Sequence, residues 1–167
     1  MSTRGAIGRL LPDGSWQARY HHFDSYPSGL GRALYLAYRG FFNRSVERML
    51  EYLVDEHPAG WSTIVDADFA RTPGYRNYDE IDDNAPHCYC HGDRHEEAWE
   101  VTQENAAGSG VEYAYLFDGT SRMRILSSYS GAHKMIGMFG QGDPDSTWVE
   151  IAAVDLDGPE PNWQELD

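Results

Sequence analysis

The sequence predicts an α+β fold, an antiparallel β-sheet built from two hairpins with helices packed on one face. Two turn signals carry the sheet. Pro12-Asp13-Gly14 separates residues 4–11 from residues 15–23, and Asp118-Gly119 separates 111–117 from 121–128. Proline presets φ, glycine accepts positive φ, and Asp-Gly is a favoured hairpin dipeptide. A run of helical spacing carries the helices: Leu30, Ala33, Leu34, Ala37 and Phe41, then Val46, Met49, Leu50, Leu53 and Val54.

Along residues 15–23 a period of two sets Trp16, Ala18, Tyr20, His22 and Asp24 on one face. Gln17, Arg19, His21 and Phe23 take the other, so His21 and His22 are expected to point in opposite directions. Ser25-Tyr26-Pro27-Ser28-Gly29 reads as a turn and helix start, with Ser28 able to serve as N-cap. Gly40 and Asn43 interrupt the helical run, which is one bent helix or two consecutive ones, ended by His57-Pro58-Ala59-Gly60. Residues 61–65 read as a short strand. Residues 66–95 show no sustained period and read as a long irregular insertion, a kind of loop that is usually functional or mobile. Its acidic stretch Tyr78-Asp79-Glu80-Ile81-Asp82-Asp83 reads as a solvated face, because calcium loops need alternate ligands and a fixed glycine. Residues 98–104 fit strand or helix, and Asp93 with Glu96 resembles a capping box that tilts the choice to helix. Residues 147–154 supply a last strand, and 155–167 read as a loose acidic tail apart from Trp163.

Composition bounds the class. A chain of 167 residues fits one globular domain. It is 41% hydrophobic, 24% charged and 13% aromatic, which is enough to build a core without staples. The net charge of −14 repels phosphate backbones, so direct nucleic-acid binding is not expected and a basic protein partner is the better match. No apolar run has the length of a membrane span, and the N-terminal residues lack an apolar leader. The two cysteines, Cys88 and Cys90, are too close for an unstrained disulfide. These features together predict a reducing, cytoplasmic setting.

Three places carry candidate chemistry. Residues 19–28 gather imidazoles, a carboxylate, phenols and hydroxyls at a strand end, before a helix start. There His22 and Asp24 share a face, as a base and its orienter would, and Tyr26 and Ser28 follow. The alternative is structural: Asp24 and Ser28 cap the helix and the rings pack. Second, His87-Cys88-Tyr89-Cys90-His91 is rich in sulfur and nitrogen donors of the kind zinc favours. Cys-x-Cys is tighter than the usual zinc spacing, and full ligation needs two histidines, from His87, His91 and His95 of the 87–95 run or from His21 or His22. The same thiols can instead be unliganded, or reactive beside an imidazolium. Third, Ser2 or Thr3 at a processed N-terminus would offer a nucleophile, supported by Arg19 or His21 and Asp24.

Met1-Ser2-Thr3-Arg4-Gly5, followed by Tyr20-His21-His22-Phe23-Asp24-Ser25-Tyr26-Pro27-Ser28-Gly29-Leu30-Gly31, resembles a set of small uncharacterised proteins of bacteriophages and actinobacterial mobile elements. Those open with a Thr-Arg-Gly strand and carry a Tyr-x-His-(Phe/Trp)-Asp-Ser-Tyr-Pro-Ser-Gly-Leu-Gly segment. The resemblance implies a setting rather than a reaction, and it draws weight to His22, Asp24, Tyr26 and Ser28. Three functions follow as expectations: an accessory protein with a polar, hydrolytic site at residues 19–28, a non-enzymatic acidic binder that inhibits a basic host partner, and a zinc-stabilised module.

Overall fold

The computed structural model describes residues 2–74, 82–128 and 148–167. The stretch Tyr78–Ile81 of the acidic run lies outside the described residues.

Both hairpins form, and both are closed by the same chemistry. β1 (Gly5–Leu10) and β2 (Trp16–His21) pair antiparallel, from Gly5↔His21 to Leu10↔Trp16. In their turn the Asp13 carboxylate accepts the Ser15 N–H at 2.9 Å and its hydroxyl at 2.6 Å, while Gly14 takes a φ of 88°. β6 (Tyr113–Phe117) and β7 (Arg122–Ser127) repeat the arrangement. There Asp118 accepts the Thr120 N–H at 3.0 Å and its hydroxyl at 2.6 Å. These side chains imitate a backbone turn.

The class is α+β, but the sheet is mixed rather than antiparallel. β1 runs parallel to β6, from Gly5↔Tyr113 to Arg9↔Phe117, and joins the two hairpins side by side. β2 runs parallel to β3 (Trp61–Thr63) at His21↔Trp61. Parallel neighbours need a long crossover, and the helical stretch between the hairpins supplies it. β4 (His87–Cys88) pairs with β3, β5 (Glu100–Thr102) with β2, and β8 (Val149–Asp155) with β7. The sheet order is β4-β3-β2-β1-β6-β7-β8, with β5 sharing the outer edge of β2. Residues 98–104 thus contain a strand where the capping pattern favoured helix. Val101 is fully buried opposite Ala18, and that burial outweighs a local cap.

The helical stretch divides in two. A wide π-type turn over Pro27–Gly31 leads into α1 (Arg32–Gly40), and α2 (Val46–Leu50) continues into a second wide turn, Glu51–Asp55. Asn43 and Arg44 separate them with left-handed φ values of 51° and 58°. Ser45 then caps α2 by accepting the Arg48 N–H at 3.2 Å. Ser28 makes no such cap; Tyr26 occupies the capping place and gives no side-chain bond.

Alternate strand residues feed two buried clusters. Ile7, Trp61, Tyr115 and Ile125 pack with Leu34, Tyr38, Met49 and Leu53 from the helical stretch. Ala6, Trp16, Ala18, Tyr20 and Leu116 pack with Val101, Ala106 and Val111. The 155–167 segment, expected to be loose, is tied to α1. Tyr35 donates to the Gly158 carbonyl at 2.7 Å, Arg32 meets Glu160 at 3.0 Å, and Trp163 is buried. No helix among the described residues is long and apolar enough to cross a membrane.

Gly8 is the tightest point of the first hairpin. A Cβ there would stand 2.0 Å from the Gln17 carbonyl oxygen and 2.5 Å from the Ala18 Cα, both backbone atoms. Gly40 faces open space. Gly8→Ala should therefore destabilise the fold by about 3 kcal/mol or more, and Gly40→Ala should be neutral or stabilise by up to about 1 kcal/mol. Urea unfolding of both variants checks this, and a Gly8→Ala protein as stable as the parent would contradict the β1–β2 contact.

Candidate metal centre

The β3–β4 pair sets the geometry of the second cluster. Its register places Cys88 opposite Trp61 and His87 opposite Thr63. Successive strand residues point to opposite sides. Cys88 consequently turns inward and is fully buried, while His87 turns away and holds Nε2 at 2.9 Å from the Asp82 carbonyl. The chain then curls back, with the Tyr89 N–H on the Gly60 carbonyl at 3.1 Å and Gly92 at a φ of 80°. That turn brings Cys90 and His91 beside Cys88.

His57 completes the set from the far side. It follows the second wide helical turn, is 3% exposed, and its ring lies 4.4 Å from Trp61 and 4.9 Å from His91. The ligand atoms of His57, Cys88, Cys90 and His91 all lie within 4.8 Å of one another. Cys88 Sγ stands 3.3 Å from His91 Nδ1, and Cys90 Sγ stands 3.6 Å from His57 Nδ1. A tetrahedron with zinc-like bond lengths has edges of roughly 3.3–3.8 Å. The cluster can hold a metal ion.

Burial acts on its protonation states in opposite senses, opposing the thiolate and favouring the neutral imidazole that a metal needs. Burial, with Cys90 beside it, pushes the Cys88 thiol up to about 12. Burial, then His91, lowers His57 to about 4, so its imidazole is neutral and its lone pair available near pH 7. The Tyr52 hydroxyl oxygen is buried with no hydrogen-bond partner among the described residues, and its ring lies 4.9 Å from His57. Burial first, and then the Cys88 charge, raises Tyr52 well above the ordinary phenol range.

Of the ligands named from the sequence, Cys88, Cys90 and His91 meet and His87 does not. His57 was missed because it sits in a stretch that reads as a helix terminator. It lies 33 positions from Cys90, and only the pairing of two very short strands connects them.

Residues 19–28 are divided by the fold. His21 is fully buried, and its Nε2 accepts the Ile64 N–H at 3.1 Å. Nδ1 therefore carries the proton and donates to Ser25 Oγ at 2.8 Å, while Ser25 Oγ donates to the His21 carbonyl at 3.3 Å. The proton runs from histidine to serine, the reverse of what a base needs from its nucleophile. The Ser25 N–H bonds the Thr3 carbonyl at 3.0 Å, and its own carbonyl accepts the Tyr115 hydroxyl at 2.7 Å. Ser25 is a latch.

His22 stands apart, with Nδ1 2.7 Å from the Tyr20 hydroxyl. Burial raises Tyr20 to about 12, so the phenol keeps its proton and donates it to Nδ1. Burial, then Arg4 and Arg94, lowers His22, which is thus neutral near pH 7. Asp24 adopts a left-handed φ of 56°, and its side chain pairs with Tyr26 rather than His22. Ser28 is held by Asp167, hydroxyl to carboxylate at 2.6 Å and N–H to carboxylate at 2.8 Å. The two clusters approach through Trp61, whose carbonyl accepts the His22 N–H at 3.1 Å, but none of residues 19–28 enters the tetrad.

The fold and site together define an α+β protein with a two-cysteine, two-histidine cluster able to hold a metal ion. No family model, curated protein or solved structure matches the chain.

His21 gives a pH test. Burial lowers it from 6.5 to about 3, with His22 adding to the effect. A base with a depressed folded value binds fewer protons folded than unfolded between those limits. Its contribution is therefore complete above about pH 6.5 and is lost as pH falls toward 3, with an upper bound of about 5 kcal/mol. Nitrogen-15 NMR should show a neutral His21 with the proton on Nδ1 down to pH 5. An imidazolium signal at pH 5 in the folded protein would refute the latch.

Proposed function

We propose that this chain is a zinc-stabilised, non-enzymatic module in which His57, Cys88, Cys90 and His91 hold one Zn²⁺. The observation that carries this is the convergence of four soft and borderline donors, from two distant segments, on one point. Two thiolates and two imidazoles in a tetrahedral set favour zinc over calcium or magnesium. Four protein ligands leave no open position for water, which marks a structural rather than a catalytic site.

The metal would have local work. β4 has two residues and β5 three, and strands that short are marginal alone. Cross-linking β4 to His57 would pin the 87–100 segment, including Trp99, which stacks on Tyr20 at 4.9 Å. A hydrolytic role at residues 19–28 is less favoured, because His21, Ser25 and Ser28 are engaged in structural bonds. The likeness of residues 20–31 to phage proteins supports a mobile-element setting for the module.

Elemental analysis of protein purified without chelator should return one zinc per chain. His91→Ala, at an exposed position, and Cys90→Ser should lose most of it, and His87→Ala should keep it. A metal-free parent that is fully folded, or loss in His87→Ala, would refute the proposal. Affinity should also rise with pH between 6 and 8, by at least about tenfold per unit, because the Cys88 proton must leave. Affinity flat over that range would mean that Cys88 is not a ligand.

A further inference from the structure

We propose that the groove between α1 and the 64–70 segment is a docking site for a basic, amphipathic helix of a protein partner. This does not rest on the zinc reading, since none of the tetrad lines the groove.

The groove has a volume of about 630 Å³. Three large apolar side chains stand exposed on it: Tyr26 at 36%, Leu36 at 43% and Phe41 at 45%. Large apolar groups gathered on one concavity mark interaction surfaces, whereas scattered ones need no explanation. The face of α1 between them is shallow, with Ala37 itself buried. Ala33, Ala37 and Gly40 follow one another at i, i+4 and i+7, and a Cβ on Gly40 would meet nothing within 4 Å. A row of small residues flanked by Leu36 and Phe41 is the groove into which a ridge of another helix packs. The opposite wall carries Phe69, which packs on Phe41 at 5.7 Å and gives the floor a fixed shape.

Charge selects the partner. Asp66 and Asp68 line the same wall, and Asp66 is held at a left-handed φ of 58°. Asp24, burial, Asp167 and Asp66 all raise the Tyr26 hydroxyl, which places three carboxylates around the groove mouth. Arg32, the one cation among the described lining residues, is already paired with Glu160 at 3.0 Å. An apolar strip bordered by carboxylates complements apolar anchors flanked by Lys or Arg, and the net charge of −14 would steer such a partner in.

The probe is a fluorescein-labelled Leu/Lys amphipathic helical peptide, followed by anisotropy at two salt concentrations. Saturable one-to-one binding is expected. Leu36→Asp should weaken it at least about tenfold, as loss of a central anchor does. Asp66→Asn should weaken it a few-fold and flatten its salt dependence. Glu47→Gln, on exposed α2 surface away from the groove, should change neither. Three results would overturn the proposal. A scrambled peptide of equal charge that binds as tightly would mean charge alone. A Leu/Gln helix that binds as tightly would remove the basic requirement. A dimer that dissociates in Leu36→Asp would make a second copy of the chain the occupant. Thermal melts of each variant confirm that the fold is retained, and Phe41→Ser supplies the same test should Leu36→Asp unfold.

Discussion

Everything in this molecule hangs on β1. It lies between an antiparallel neighbour and a parallel one, and it welds two hairpins into one sheet. Three of its residues are small for that position: Gly5, Ala6 and Gly8. Ala6 and Ile7 are both fully buried, one in each core cluster. The absent Cβ at Gly8 lets β2 approach at a distance no other residue tolerates. With β1 fixed on one side, β2 offers its other edge to β3 and β5. That shared edge carries the chain to the tetrad.

The tetrad stands at the weakest part of the sheet. Two-residue and three-residue strands have few ladder bonds, so something else must order residues 87–100. Burying the Cys88 thiol and the neutral His57 imidazole gives only weak S–H···N contacts, while a shared metal gives four coordinate bonds. Beside it, the His21–Ser25–Ile64 latch locks the end of β2 onto the segment after β3. The two clusters meet through Trp61, one holding by hydrogen bonds and the other by proposed metal ligation. The helical stretch serves differently: its inner residues fill the core, while Leu36 and Phe41 stand exposed among the described residues.

Local chemistry was legible in the sequence. Asp-Gly turns, the alternation along β2 and the helical spacing each depend on a few adjacent residues, and each appears where expected, except that Phe41 falls past the end of α1 and stands exposed. Pairings between distant segments were not legible. The β1–β6 contact is invisible because parallel register leaves no turn signature, so the sheet was read as antiparallel. β5 was read toward helix because a capping pattern is local, whereas the burial of Val101 against Ala18 is not. Cys88, Cys90 and His91 stood out as donors close in sequence. His57 did not, since only the Trp61↔Cys88 register brings it near. His87 was named because it adjoins Cys88, and strand alternation is the reason it faces away. Charge and prolines alone predict a loose tail, yet its carbonyls and Glu160 are what Tyr35, Arg39 and Arg32 bind.

The most direct test of the proposed centre is X-ray absorption at the zinc edge on the native protein. The first shell should contain two sulfurs at about 2.3 Å and two nitrogens at about 2.0–2.1 Å, with imidazole scattering from both histidines. A shell of oxygen and nitrogen alone, or one sulfur, would show that Cys88 and Cys90 do not share the ion, and the tetrad would then be a hydrogen-bonded cluster and nothing more.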